Sequence, residues 1–252
     1  MDLTFLGYQG SLQSAESSNT SYVLNSKGKL YLFDTSSSPC QELRKANLDP
    51  LNLEAIFLTH AHIDHIYALV SLLHNLWLLK RKEPIKILSN EATILKAKQL
   101  CALFEIEKKK GIFPIEFIVL EKNSTTKLNG LSFFSFEVEH GVETFGYAVK
   151  EENETMVSFS DCIYSKEIIE ETKKCSILIH EAGGTHQDEK RLKKGGHSTA
   201  EQAALKAKSL EAGKLFLVHL PLSKEIQSSI EQEAKKIFPN AFIPELFKSY
   251  EV

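Results

Sequence analysis

Cysteine is scarce in this chain and none of it is paired. Cys40, Cys101, Cys162 and Cys175 are its four cysteines among 252 residues, and no two lie close in sequence. That spacing excludes a disulfide framework and a zinc ribbon, and it leaves the thiols reading as small buried hydrophobes. An excess of basic charge is also missing. Thirty Lys and Arg against 33 Asp and Glu give a net charge of −3, so no global field gathers nucleic-acid phosphates and any RNA contact must be local. The local candidates are Lys80 to Lys82, Lys108 to Lys110, and Lys190, Arg191, Lys193 and Lys194. Long hydrophobic runs are absent too. The most apolar stretch, Ile66 to Leu79, falls short of a bilayer span and is interrupted by His74 and Asn75. The N-terminus opens directly on a strand pattern, and no leader is expected. A soluble, cytoplasmic protein without a membrane partner is expected.

No low-complexity linker interrupts the chain, and 42% hydrophobic residues over this length suffice for one large core. The pattern predicts a single domain, 1–252, built of two similar βα-rich halves, about 1–120 and 121–252. Strands are expected at 2–6, 20–25, 29–34, 54–58, 85–89, 115–119, 131–139, 144–150, 154–159, 175–180 and 214–218. Helices are expected near 38–47, 66–79, 90–103, 199–212 and 224–236. The Leu69 to Leu79 helix offers an apolar face either to the core or to a homodimer interface.

One segment departs from ordinary patterning. Thr59-His60-Ala61-His62-Ile63-Asp64-His65 packs three imidazoles and a carboxylate into six positions after the buried strand Glu54 to Leu58. A single His on a loop is usually solvated or satisfied by a carbonyl, but three in six residues are poorly explained that way. Imidazole and carboxylate suit zinc, manganese or iron, and one loop this dense can serve two ions. Its strand-to-helix position is also where α/β sheets build their sites.

The segment resembles the signature of the metallo-β-lactamase superfamily. That resemblance implies an α/β fold, a four-layer αββα sandwich with a dinuclear metal site at one edge between the two sheets. It implies that His60, His62 and His140 hold one divalent ion, that Asp64, His65 and His219 hold the other, and that Asp161 bridges them. Zinc is the expected metal, with Mn2+ or Fe2+ as alternatives. Asp34 matches a position from which a carboxylate would orient the His-rich loop. Two further stretches, Leu178 to Ala182 and Gly196 to Ala204, are similar to the ribonuclease Z branch, as is the opening Leu3 to Gly7. By that likeness Glu181 and His197 form a proton-donating dyad. A capping box of Ser198 and Glu201 is expected to start the helix behind His197, with a stop at Gly213. The helix N-terminus and the Glu181 carboxylate then act in opposite directions on the imidazolium.

The implied activity is metal-dependent phosphodiester hydrolysis. A metal-bridged hydroxide oriented by Asp64 attacks phosphorus, and Glu181 with His197 protonates the departing alkoxide. Only twenty residues separate His140 from Asp161, which leaves no room for the long tRNA-binding arm that bacterial members carry there. A small cyclic or RNA-type phosphodiester is therefore the expected substrate. Ribonuclease Z-like tRNA 3′ processing is the first alternative, and hydrolysis of a thioester, lactone or β-lactam is the second. A di-iron redox protein and a non-catalytic RNA-binding scaffold rank lower.

Overall fold

Near-continuous burial, rather than alternation, marks the inner strands. The segments Leu53–Phe57 and Ile85–Ser89 each leave only one of five residues partly exposed, the pattern of parallel strands covered on both faces. The computed structural model describes all 252 residues, which form two compact units. The first comprises Met1–Gly7, Glu16–Leu120 and Glu245–Glu251; the second comprises Tyr8–Ala15, Glu121–Pro244 and Val252.

The strands of the first unit are β1 (Asp2–Gln9), β2 (Ser18–Asn19), β3 (Ser21–Ser26), β4 (Lys29–Phe33), β5 (Leu53–Phe57), β6 (Ile85–Ser89) and β7 (Ile115–Val119). The second unit supplies β8 (Ser124–Leu128), β9 (Leu131–Val138), β10 (Thr144–Glu151), β11 (Glu154–Phe159), β12 (Ile177–Glu181), β13 (Lys214–Val218) and β14 (Ala241–Phe242), and the last strand, β15 (Ser249–Glu251), returns to the first sheet. The first sheet runs β15-β1-β3-β4-β5-β6-β7 with β2 paired to β1; the second runs β14-β13-β12-β11-β10-β9-β8. In each sheet the pairing changes from antiparallel to parallel part-way across, at β4 in the first and at β11 in the second.

Helices α1 (Pro39–Lys45), α2 (Ile63–Ile66), α3 (Leu69–Leu78) and α4 (Glu91–Leu103) belong to the first unit, and α5 (Glu189–Lys194), α6 (Ala200–Ser209) and α7 (Lys224–Ile237) to the second. Helix α3 buries Leu69, Leu72, Leu73 and Leu76 in a core with Leu32, Ile56 and Ile87. This i, i+3, i+4, i+7 stripe stabilises by roughly 1.5–3 kcal/mol per side chain removed from water. Its apolar face is therefore spent within the unit. Asn90 starts α4 by accepting from the Thr93 N–H.

Several expectations need correction. The helix expected at 66–79 is two helices, α2 and α3, and the first starts early enough, at Ile63, to carry Asp64 and His65. The capping box of α6 lies one residue later than expected, on Thr199 and Gln202, while the Ser198 hydroxyl donates to the Cys162 carbonyl (2.6 Å). The helix ends at Ser209, with Glu211 in the left-handed region, before Gly213. Strands β2, β8, β14 and β15 and helix α5 were not expected. Nor is Arg81 a surface cation: it is buried, and its guanidinium donates to the carbonyls of Leu51, Leu53, Glu83 and Pro84. No helix is long and apolar enough to cross a membrane.

Candidate active site

In the first unit the candidate ligands follow β5 directly. His60 Nε2 lies 3.0 Å from His62 Nδ1, and His65 Nε2 lies 3.6 Å from Asp64 Oδ2. Behind them stands Asp34, one residue past β4, with φ of 58°. Its Oδ1 accepts from the Thr59 N–H (2.8 Å), and its Oδ2 accepts from the Thr59 hydroxyl (2.9 Å) and from His65 Nδ1 (2.7 Å). The Thr59 hydroxyl, already donating to Asp34, can only accept at 2.9 Å from His60 Nδ1. One buried carboxylate thus sets two imidazole tautomers, leaving the Nε2 lone pairs of His60 and His65 for a cation. Burial raises the Asp34 carboxyl above its ordinary pKa, while His65 and Thr59 pull it back toward the ionised form. The relay through Thr59 was not read from the sequence, where its only signal is its place before His60.

In the second unit the candidates come from separate strand ends. Asp161 follows β11, Glu181 ends β12, His219 follows β13, His140 follows β9, and His197 lies between α5 and α6. The structure nevertheless gathers them. His219 Nε2 is 3.2 Å from Asp161 Oδ2, and His197 Nδ1 is 3.1 Å from Glu181 Oε1. The His197 ring centroid lies 5.0 Å from that of His219 and 5.3 Å from that of His140. Asp161, His197 and His219 each offer one ligand atom, all within 4.8 Å of one another. His140 Nδ1 donates to the Gly196 carbonyl (2.8 Å), which again leaves Nε2 bearing the lone pair. The close approach needs glycine: with φ of +85°, a Cβ at Gly196 would stand 2.7 Å from His140 Nδ1. His219 itself has φ of 55°, a rare conformation for a non-glycine residue and one that clusters at functional sites. Imidazoles with fixed tautomers beside carboxylates form a donor set that fits divalent zinc, manganese or iron.

Glu181 is fully buried. Burial raises its carboxyl pKa, and the hydrogen bond to His197 lowers it. The same Oε1 accepts from the Cys162 N–H (2.6 Å). Cys162 points its sulfur toward His180 Nε2 (3.9 Å), and burial pushes its thiol well above the ordinary range, so it stays a thiol as expected of a structural cysteine. All four cysteines are free and buried. Of the remaining histidines, His180 donates to the Glu181 carbonyl, His186 pairs with Glu233 at 2.7 Å, and His74 packs against Trp77. Only the β10–β11 hairpin and short loops occupy the stretch between His140 and Asp161, which leaves no protruding arm there.

Residues 30–220 match the β-lactamase superfamily domain. The chain belongs to the β-lactamase superfamily. Several known proteins are similar along its whole length. Ribonuclease Z of Archaeoglobus fulgidus is 26% identical over 303 residues, covering 99% of this chain and 97% of that protein. The metallo-β-lactamase fold protein YhfI from Bacillus subtilis superposes with a TM-score of 0.86 at 21% identity, covering 99% of both chains. The short form of human tRNase Z superposes with a TM-score of 0.81 at 23% identity, covering 100% of this chain and 99% of that one. The metallo-β-lactamase fold expected from the His-rich segment is thereby shown.

Proposed function

We propose that this superfamily member is a metal-dependent phosphodiesterase. His60, His62 and His140 would hold one divalent ion, Asp64, His65 and His219 a second, and Asp161 would bridge them. The order of the motifs along the chain carries that assignment across the two units. Two zinc ions are the expected complement. Bound there, they would supply Lewis acidity toward a phosphoryl oxygen and lower the pKa of water.

The observation that carries the reading is the Glu181–His197 contact beside Asp161 and His219. A buried carboxylate fixes the His197 ring through Nδ1, so the opposite nitrogen can hold a proton for a departing oxygen. Such a proton matters when the leaving group is an alkoxide, and much less when it is a stable anion. A phosphodiester with an alkyl oxygen needs that donor, whereas a thioester, which expels a thiolate, does not; against a lactone or β-lactam, whose leaving atoms also take up a proton, the reading rests on the similarity to Ribonuclease Z. Asp64, buried beside His65, would orient the attacking hydroxide. Similarity to Ribonuclease Z supports an RNA-type diester, and the short His140–Asp161 connection favours a small or flexible one over a folded tRNA gripped by an arm.

The test is a pair of diesters in zinc-loaded protein, one releasing p-nitrophenolate and one releasing an alkyl alcohol. His197→Ala is expected to cut kcat/KM for the alkyl diester by about 10²–10⁴ and to affect the p-nitrophenyl diester far less. Equal losses on both would remove the proton-donor role.

A further inference from the structure

Next to His197 and His219 the second unit carries an open groove of about 410 Å³, within the range of small-molecule sites. Its walls differ from the polar site they adjoin. Leu12, Leu222 and Ile226 are 71%, 43% and 43% exposed, and all three border the groove. Single exposed leucines are ordinary, but three around one concavity at a candidate catalytic pair form a patch of the kind that marks ligand-binding grooves. The floor is kept open by glycine: a Cβ at Gly10 would stand 3.1 Å from the His219 ring, and one at Gly183 would stand 2.8 Å from Leu192. Arg191 is the only Lys or Arg lining the groove, and Asp188 pairs with it at 3.0 Å. The walls therefore lack the cluster of cations that a polyphosphate would require.

We propose that this groove seats the leaving group of the substrate, and that this group is an uncharged alcohol carrying a ring, as a nucleoside or an arylmethanol does. The inference rests on the reading of His197 as proton donor, because the departing oxygen must then lie at the His197 end of the groove. Water forms the new P–O bond, the P–O bond to the alcohol breaks, and the alcohol oxygen leaves with a proton from His197. The proton released by water restores the donor.

Benzyl methyl phosphate and dimethyl phosphate release alcohols of closely similar acidity and carry no other ring, so the ratio of kcat/KM for benzyl alcohol release to that for methanol release from dimethyl phosphate isolates contact from leaving-group chemistry. The expected ratio in zinc-loaded protein is about tenfold or more in favour of benzyl, the size of a modest apolar contact. Ile226→Asp and Leu222→Asp should each bring it toward one. A wild-type ratio near one, or a ratio unmoved by both substitutions, overturns the proposal. In parallel, benzyl phosphate and methyl phosphate are titrated into methyl-labelled protein. Shifts of the Leu12, Leu222 and Ile226 methyls with the benzyl compound alone are expected, and their absence also overturns the proposal. Those shifts without hydrolysis of either diester would keep the groove and overturn the hydrolytic reading instead.

Discussion

The two units share one plan and use it differently. Each sheet has an antiparallel series followed by parallel strands, with β4, β5 and β6 of the first occupying the places of β11, β12 and β13 in the second. In both, a carboxylate follows the strand where pairing changes: Asp34 after β4, Asp161 after β11. The next strand carries the His-rich segment in the first unit and Glu181 in the second. After β6 stands Asn90, which caps a helix; after β13 stands His219, in a left-handed conformation. One scaffold thus concentrates its candidate ligands on a single segment and holds them through one side chain, Asp34. The other collects them from three strand ends and holds His140 through a backbone carbonyl. A side-chain buttress can be deleted by mutation, whereas a backbone buttress can only be displaced.

Removing the side-chain buttress is expected to have the largest effect. Asp34→Ala leaves the Thr59 N–H and the His65 Nδ1–H without their acceptor. Zinc affinity, read by chelator competition, should fall about 10–100-fold, and urea unfolding should show a loss of about 1–3 kcal/mol from the orphaned amide. Unchanged affinity would mean that the His-rich segment holds its geometry unaided.

The ends of β5 and β12 differ in what they bury, which makes the second unit acid-sensitive. Where β5 ends in Phe57, β12 carries the fully buried His180, whose pKa burial lowers to about 4. The unfolded chain takes up this proton near the ordinary value of about 6.5. The stabilising contribution is therefore complete above that pH and is lost as pH falls toward 4, amounting to about 3 kcal/mol over the whole window. His180→Gln should flatten this part of the stability–pH curve; an identical slope in the variant would show that other groups carry it.

Displacing the backbone buttress is the next smaller perturbation. Gly196→Ala puts a Cβ against His140 at a positive φ and should cost about 1–2 kcal/mol, with a measurable loss of zinc affinity and without unfolding. Wild-type affinity in a folded variant would remove the Gly196 carbonyl from the account.

The smallest effect tests the opposite sign of titration. On the surface of the second unit, the hydrogen bond and charge of Glu233 raise the pKa of His186. That contribution is present below the ordinary histidine range and is lost as pH rises through the raised value. Glu233→Gln should return the His186 NMR titration to about 6.5.

The contrast between the units also explains what could be read from the sequence. Three imidazoles in six residues are visible without a fold, and the strands at 85–89 and 115–119 are apolar enough to be placed to the residue. His140, Asp161 and His219 are isolated in sequence, so they became candidates only through a resemblance that supplied their order. Strand β8, Ser124–Leu128, was missed because its residues alternate between partial and full exposure and are mostly polar. Helix α5, Glu189–Lys194, was missed because Leu192 alone is buried among charges. Thr199 and Ser198 compete for the same cap, and tertiary pairing of Ser198 with Cys162 decides between them. Asp34 was legible as a buttress, but its reach to His60 through the Thr59 hydroxyl depends on how the fold brings β4 beside β5.

The central claim, a hydrolase that depends on two bound divalent ions, is tested most directly by one titration. Protein stripped of metal is loaded stepwise with zinc while turnover of bis(p-nitrophenyl) phosphate and bound zinc are followed together. The account predicts negligible turnover in the stripped protein and activity that rises until about two ions are bound per chain. Turnover independent of added metal, or two tightly bound ions with no turnover, would contradict it.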